Sequence, residues 1–287
     1  MNNILNQMLE KYEIKNIQDE ENAIKEIIQE IVLCGLSRGG FFDKAAFYGG
    51  TALRVFYGLN RFSEDLDFAL LTPDPNFDLT KYFSYIEKEV QAYGLNLKVA
   101  TKEKTKVSTI VSAFLKGNTK EHILIFFENN SIQSNNSMKN IKIKFEVDIN
   151  PPAGANYEFK YKLLPSPHQV RLYDEPSLFA GKVHAILCRN WNYRTKGRDL
   201  YDYIFYLSKN ISVNLKLIKE KLIDSKFISR DEEFNLDILK EMLNKKFLEI
   251  NYTDAKEDVI SFISDVMILD LWNDNFFIEI TKNLRGI

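Results

Sequence analysis

The stretch from Tyr48 to Leu71, YGGTALRVFYGLNRFSEDLDFALL, constrains the fold more than any other part of the chain. The apolar run Ala45–Tyr48 reads as a short strand ending in Gly49-Gly50. Residues 51–58 read as a short helix from Thr51, and residues 66–71 as a second strand that Thr72-Pro73 ends. Asp65 and Asp67 stand two apart at the edge of that strand. Alternate residues of a strand share a face, so both carboxylates point the same way. Paired hard oxygen donors suit Mg2+, which is held by one or two carboxylates together with phosphate oxygens and water. The glycines let the backbone approach a phosphate, and the start of a helix favours negative charge. In outline this is a nucleoside triphosphate site: Gly49, Gly50 and Thr51 grip the phosphates, and Asp65 and Asp67 hold the metal. Arg61 and Ser63 fall just before the carboxylates. Arg61 either binds phosphate as a planar fork or pairs with Asp65 or Glu64. Ser63 either joins the phosphate site or caps the turn.

Around this stretch, Ile24, Ile27, Ile28, Ile31 and Val32 recur at helical spacing within residues 17–37. Residues 79–93 repeat the pattern with Leu79, Phe83, Ile86 and Val90. Four β-rich runs follow at 95–101, 107–115, 122–128 and 140–149, with a polar loop at 129–140. In the last run Glu146 and Asp148 share a face with Lys142 and Lys144. That face is either solvated or supplies a third acid, from Glu146 or Asp148, to orient or deprotonate an attacking hydroxyl. Beyond Pro151-Pro152, Pro165 and Pro167 the chain reads as helical, near 175–190, 197–208, 214–224, 231–249, 254–263 and 274–284. The expected class is α+β. Residues 1–165 form a mixed sheet with flanking helices, and residues 166–287 form a helical domain that contributes to the active-site cleft. No regular βαβ alternation demands a doubly wound parallel sheet.

A second charged group lies in LFAGKVHAILCRNWNYRTKGRDLYDY, residues 178–203. Lys182 and Arg189 are seven apart and share a helical face. Lys196-Gly197-Arg198-Asp199 opens the next helix, with Asp202 one turn later. Such a face either cradles phosphate or is an ordinary solvated surface on which Asp199 caps its helix. Two cysteines, Cys34 and Cys188, form no CxxC, and only three histidines are present, which argues against thiolate or histidine metal centres. No apolar run approaches the ~18–20 residues of a membrane span, so a cytoplasmic protein is expected. The net charge of −2 requires any nucleic-acid partner to be held by a local basic patch.

The segment GGTALRVFYGLNRFSEDLDF closely resembles the signature of the AbiEii-type nucleotidyltransferase toxins, a branch of the DNA polymerase β-like nucleotidyltransferase superfamily. That pattern is a small glycine turn, a helix, then two carboxylates each followed by an apolar residue, here Leu66 and Phe68. The resemblance extends from about residue 20 to about residue 205. It implies a nucleotidyltransferase-like fold and Mg2+-dependent transfer of a nucleoside monophosphate from an NTP. It implies an acceptor that is an RNA, such as a tRNA 3′ end, or a protein hydroxyl. It also implies a toxin role in phage defence beside an antitoxin encoded nearby. By the same resemblance Lys182 neutralises phosphate charge, Asp199 orients Lys182 or acts as base, and Arg198 and Asp202 support them. The competing reading is a non-catalytic module that binds nucleotide for regulation.

Overall fold

The period-two pattern of residues 140–149 becomes a strand with two distinct faces. Ile143, Phe145 and Val147 are fully buried, while Lys144, Glu146 and Asp148 on the other face are half-buried. The computed structural model describes residues 3–101, 119–128, 141–191 and 196–287. The strand expected at 107–115 and the loop expected at 129–140 lie outside the described residues.

The described residues form ten helices: α1 (Asn3–Leu9), α2 (Ile17–Arg38), α3 (Gly49–Tyr57), α4 (Phe83–Ala92), α5 (Glu175–Cys188), α6 (Gly197–Ser208), α7 (Leu215–Asp224), α8 (Leu236–Phe247), α9 (Tyr252–Ile260) and α10 (Asp274–Thr281). They also form seven strands: β1 (Ala45–Tyr48), β2 (Leu66–Leu70), β3 (Leu95–Thr101), β4 (Thr119–Glu128), β5 (Ile141–Asp148), β6 (Tyr157–Lys162) and β7 (His168–Tyr173). The strands make one mixed sheet in the order β3-β4-β5-β2-β1-β7-β6. At its centre β2 runs antiparallel to β1 and parallel to β5.

The chain divides into two compact units: residues 1–52, 62–151 and 157–172 in the first, and residues 53–61, 152–156 and 173–287 in the second. One cut near residue 165, as the prolines suggest, does not describe this division. Residues 157–162 and 168–173 are strands rather than the start of the helical half, and they belong to the sheet. Both alternate strictly in sequence, Tyr-Glu-Phe-Lys-Tyr-Lys and His-Gln-Val-Arg-Leu-Tyr, which is the strand period.

The core of the first unit is aromatic. Phe47, Phe68 and Phe145 stack across β1, β2 and β5 with centroids 5.0 and 4.7 Å apart, and Phe41 meets Phe68 edge-on. Each such contact adds about 0.5–1.5 kcal/mol beyond the area buried. In the second unit five of the helices start where short polar side chains cap them. Asp174, Asn214, Asn235, Asn251 and Asn273 each accept a backbone N–H from the first turn. The cap at Asn235 explains why α8 begins later than the apolar pattern from residue 231 suggested. Phe179 stacks on Tyr206 at 4.4 Å, and Tyr203, Phe247 and Phe277 continue the cluster. Gly197 opens α6 directly against α9: a Cβ there would run into the Ala255 carbonyl. Among the described residues no helix is long and apolar enough to cross a membrane.

Candidate active site

In the first unit, β1 ends at Tyr48 and α3 starts at Gly49, whose φ of +82° is one that residues with a Cβ rarely adopt. Tyr48 lies opposite Asp67 on β2. A Cβ on Gly49 would collide with Oδ2 of Asp67, so the carboxylate rests directly against the glycine backbone at the start of α3. The first-turn N–H groups of a helix have no carbonyl partner within it, and the helix dipole is positive there. The turn between strand and helix therefore joins a carboxylate to an anion-seeking helix end.

Thr51 was expected to reach phosphate. It is fully buried, and its hydroxyl donates to the backbone carbonyl of Asp65. Its observed work is to fix the backbone that carries the two aspartates. The preceding loop is tied to α2, because the Gln29 amide donates to the Ser63 carbonyl at 3.1 Å and Lys25 reaches Glu64 at 3.3 Å. Asp65 and Asp67 are both half-buried.

Of the two further acids, Glu146 pairs in register with Asp67 on the parallel neighbour β5, and Asp148 pairs with Ala69. Adjacent strands lie about 4.8 Å apart, and paired residues share a face. Glu146 is thus the neighbour of Asp67. It is held by Lys144 at 2.7 Å. Asp148 accepts the Asn150 N–H at 3.0 Å and closes the turn after the strand. Among the described residues no three acidic, histidine or cysteine side chains form a metal-holding group by themselves. Asp65 and Asp67 are nevertheless hard oxygen donors of the kind that bind Mg2+ when phosphate and water complete its shell.

The second unit contains a chain of alternating charges. Arg61 grips Asp202 with two hydrogen bonds, from Nε at 2.6 Å and Nη2 at 2.7 Å, and the two side chains are only 2% and 0% exposed. Lys182 on α5 touches Asp202 at 2.7 Å and Asp199 at 3.0 Å. Arg189 closes the series with a fork on Asp199 at 3.1 and 2.7 Å. Three cations thus share two carboxylates. Burial opposes the charge on Lys182, but attraction to Asp202 and Asp199 outweighs it and raises its pKa. Burial likewise opposes ionisation of Asp199, and Lys182 and Arg189 overcome it, holding the carboxyl far below its ordinary range. Arg61 behaves as Lys182 does: burial works against its charge and Asp202 more than restores it.

Two residues differ in setting from the rest of the sequence-predicted site. Arg61 is almost fully buried. Its fork is turned onto Asp202, 141 residues away in sequence. Arg198 turns towards a different acid. It lies 3.8 Å from Asp258 and 4.1 Å over the Phe262 ring. Asp202, expected only as support, is the hub that Arg61 and Lys182 share. The available signal was its position: Asp199, Asp202, Tyr203 and Tyr206 all lie on the buried face of α6, where an acid needs a partner. His184, two residues from Lys182, meets Ser225 at 3.2 Å. Burial first, then Lys221, lowers its pKa to about 3. It is a neutral packing residue.

The chain resembles JHP933 from Helicobacter pylori over 92% of its own length and 94% of that chain, with 19% identity and a TM-score of 0.53. MenT4, a nucleotidyltransferase toxin from Mycobacterium tuberculosis, aligns over 98% of this chain and 86% of its own, with 14% identity and a TM-score of 0.49. No curated protein matches the sequence. The family model for the nucleotidyl transferase AbiEii toxin of type IV toxin–antitoxin systems matches residues 31–275. That match spans both the Gly49–Asp67 turn and the Lys182 series, and the chain belongs to the AbiEii nucleotidyltransferase toxin family.

Proposed function

We propose that this nucleotidyltransferase moves a nucleoside monophosphate from an NTP onto an acceptor hydroxyl, with Mg2+ as its metal. The observation that carries the reading is the Asp67 carboxylate seated on Gly49 at the start of α3, with Glu146 in register beside it. In this reading the first-turn N–H groups at Gly50 and Thr51 receive phosphate oxygens, while Asp65 and Asp67 hold the metal. Bound Mg2+ supplies positive charge to the phosphates and to the departing pyrophosphate. Glu146 orients the acceptor hydroxyl and takes its proton. The hydroxyl oxygen bonds to the α-phosphorus as the α–β bridging bond breaks and pyrophosphate leaves. Lys182 supplies charge to phosphate, kept protonated by Asp199 and Asp202. The acceptor is an RNA, such as a tRNA 3′ end, or a protein hydroxyl. The transfer acts inside the cell as the toxin of a phage-defence pair, opposed by an antitoxin encoded nearby.

The test supplies purified protein with Mg2+ and each α-labelled NTP in turn, offering total tRNA, other RNA and cell protein as acceptors. Asp67→Ala and Lys182→Ala run alongside. The expected result is label on one acceptor class, lost in both variants. Nucleotide binding without transfer to any acceptor would refute this reading and favour a regulatory nucleotide-binding module.

A further inference from the structure

Among the described strands β6 is the last of the sheet, and one of its faces is aromatic. Tyr157, Phe159 and Tyr161 are 39%, 47% and 72% exposed. The neighbouring strand supports them: Arg171 lies 4.6 Å over the Phe159 ring, and Gln169 donates to the Tyr161 hydroxyl at 3.0 Å. An edge strand offers its outer backbone groups to another strand, and proteins usually blunt such an edge with charge or cover it. β6 carries charge on one face and, unusually for an edge, a row of three exposed aromatic side chains on the other.

We propose that β6 pairs edge to edge with β6 of a second copy of this chain, antiparallel and in a single register. The occupant is identified by charge. The opposite face of β6 carries Glu158, Lys160 and Lys162. When Phe159 stands opposite the partner's Phe159, Glu158 meets the partner's Lys160 and Lys160 meets the partner's Glu158. On the aromatic face Tyr157 then stands opposite the partner's Tyr161. Aromatic pairs and opposite charges directly across an antiparallel ladder are the stabilising cross-strand pairs. Sliding two residues one way sets Glu158 against the partner's Glu158. Sliding two the other way sets Lys160 against the partner's Lys160. A slide of one residue turns the aromatic row onto the charged face. With Lys162 held by Glu30, the sequence of β6 is self-complementary in one register and mismatched in its neighbours, and the interchain pairs replace the 3.8 Å contact between Glu158 and Lys160 within each strand. Lys162 takes no part, being held by Glu30 at 3.2 Å. Two six-residue strands bury less than a standard interface of about 1,600 Å2, so the pairing is weak and depends on concentration.

Sedimentation of the full chain over a concentration series tests this independently of any transfer activity. The wild type is expected to move reversibly from monomer to twice the monomer mass. Glu158→Lys alone and Lys160→Glu alone each create like-charge pairs and are expected to stay monomeric, with unchanged circular dichroism. An equimolar mixture of those two variants restores both charge pairs and is expected to form the dimer that neither makes by itself. The double variant E158K/K160E is expected to dimerise as the wild type does. A wild type that stays monomeric throughout overturns the proposal, as does a mixture that fails to associate. If the monomeric protein instead binds a labelled single-stranded oligonucleotide, and Phe159→Ala abolishes that, the aromatic row is a base-stacking platform and the proposal falls.

Discussion

Replacing Asp202 by Asn keeps the side-chain shape and removes the negative charge that Arg61 and Lys182 share. Arg61 loses a bidentate partner at 2.6 and 2.7 Å in a setting where neither group reaches water. Lys182 retains Asp199 and its own 16% exposure. The cost therefore falls mainly on Arg61. Removing one partner of a buried ion pair costs about 3–5 kcal/mol, because the remaining charge stays desolvated. Both tryptophans, Trp191 and Trp272, belong to the second unit, so intrinsic fluorescence during urea unfolding reports on the unit that holds the series. At an m-value of about 2 kcal/mol per molar urea, the midpoint is expected to fall by about 2 M. The double variant Arg61→Met/Asp202→Leu leaves neither charge behind and is expected to recover most of the loss. Asp258→Asn is the contrast. Its partners Lys196 and Arg198 are partly exposed and lie 3.5 and 3.8 Å away, so the loss stays below about 1 kcal/mol. If Asp202→Asn costs no more than Asp258→Asn, the buried-pair reasoning is wrong.

Two further outcomes follow from single residues. His184 is neutral in the fold, with a pKa lowered by burial and then by Lys221 to about 3, against about 6.5 in the unfolded chain. Its contribution is complete above pH 6.5 and is lost as the pH falls from there towards 3. Acidification from pH 7 to 5 should therefore cost about 2 kcal/mol through this group, and His184→Gln should flatten that part of the pH–stability curve; an unchanged curve would rule the assignment out. Gly49→Ala should lose about 1–2 kcal/mol from its left-handed φ, yet about a hundredfold in nucleotidyl transfer, because the new Cβ displaces the Asp67 carboxylate. Gly58→Ala is the control: its φ is +78° with nothing within 4 Å of the added atom, so a similar stability loss should leave transfer intact.

The local parts of the candidate site were legible because they lie within about twenty residues of each other. The strand, glycine turn, helix and Asp-x-Asp order is a local pattern, and β1, α3 and β2 form where it places them. Register was not legible. Nothing in the sequence says that Glu146 rather than Asp148 falls beside Asp67, since both have the same parity on β5. Arg61 shows the limit most clearly. Its neighbours in sequence are Ser63, Glu64 and Asp65, yet the carboxylate that its fork grips comes from α6. Thr51 is a related case, since a hydroxyl beside a glycine turn serves equally well as a phosphate donor or as a brace for the next strand. β6 and β7 differ in kind: the prolines around them resemble a domain boundary, while the alternation within them is a strand pattern.

The glycine at the head of α6 has a consequence for how relatives of this chain are compared. Gly197 stands between Lys196 and the Arg198-Asp199 pair, in a motif that invites a chemical explanation for every letter. Its backbone meets the Ala255 carbonyl so closely that any side chain would push α9 away from α6. A glycine retained at this position through evolution would record the distance between two helices. The aspartate two places later, gripped by Lys182 and Arg189, would be retained for a different reason, the charge it shares with them.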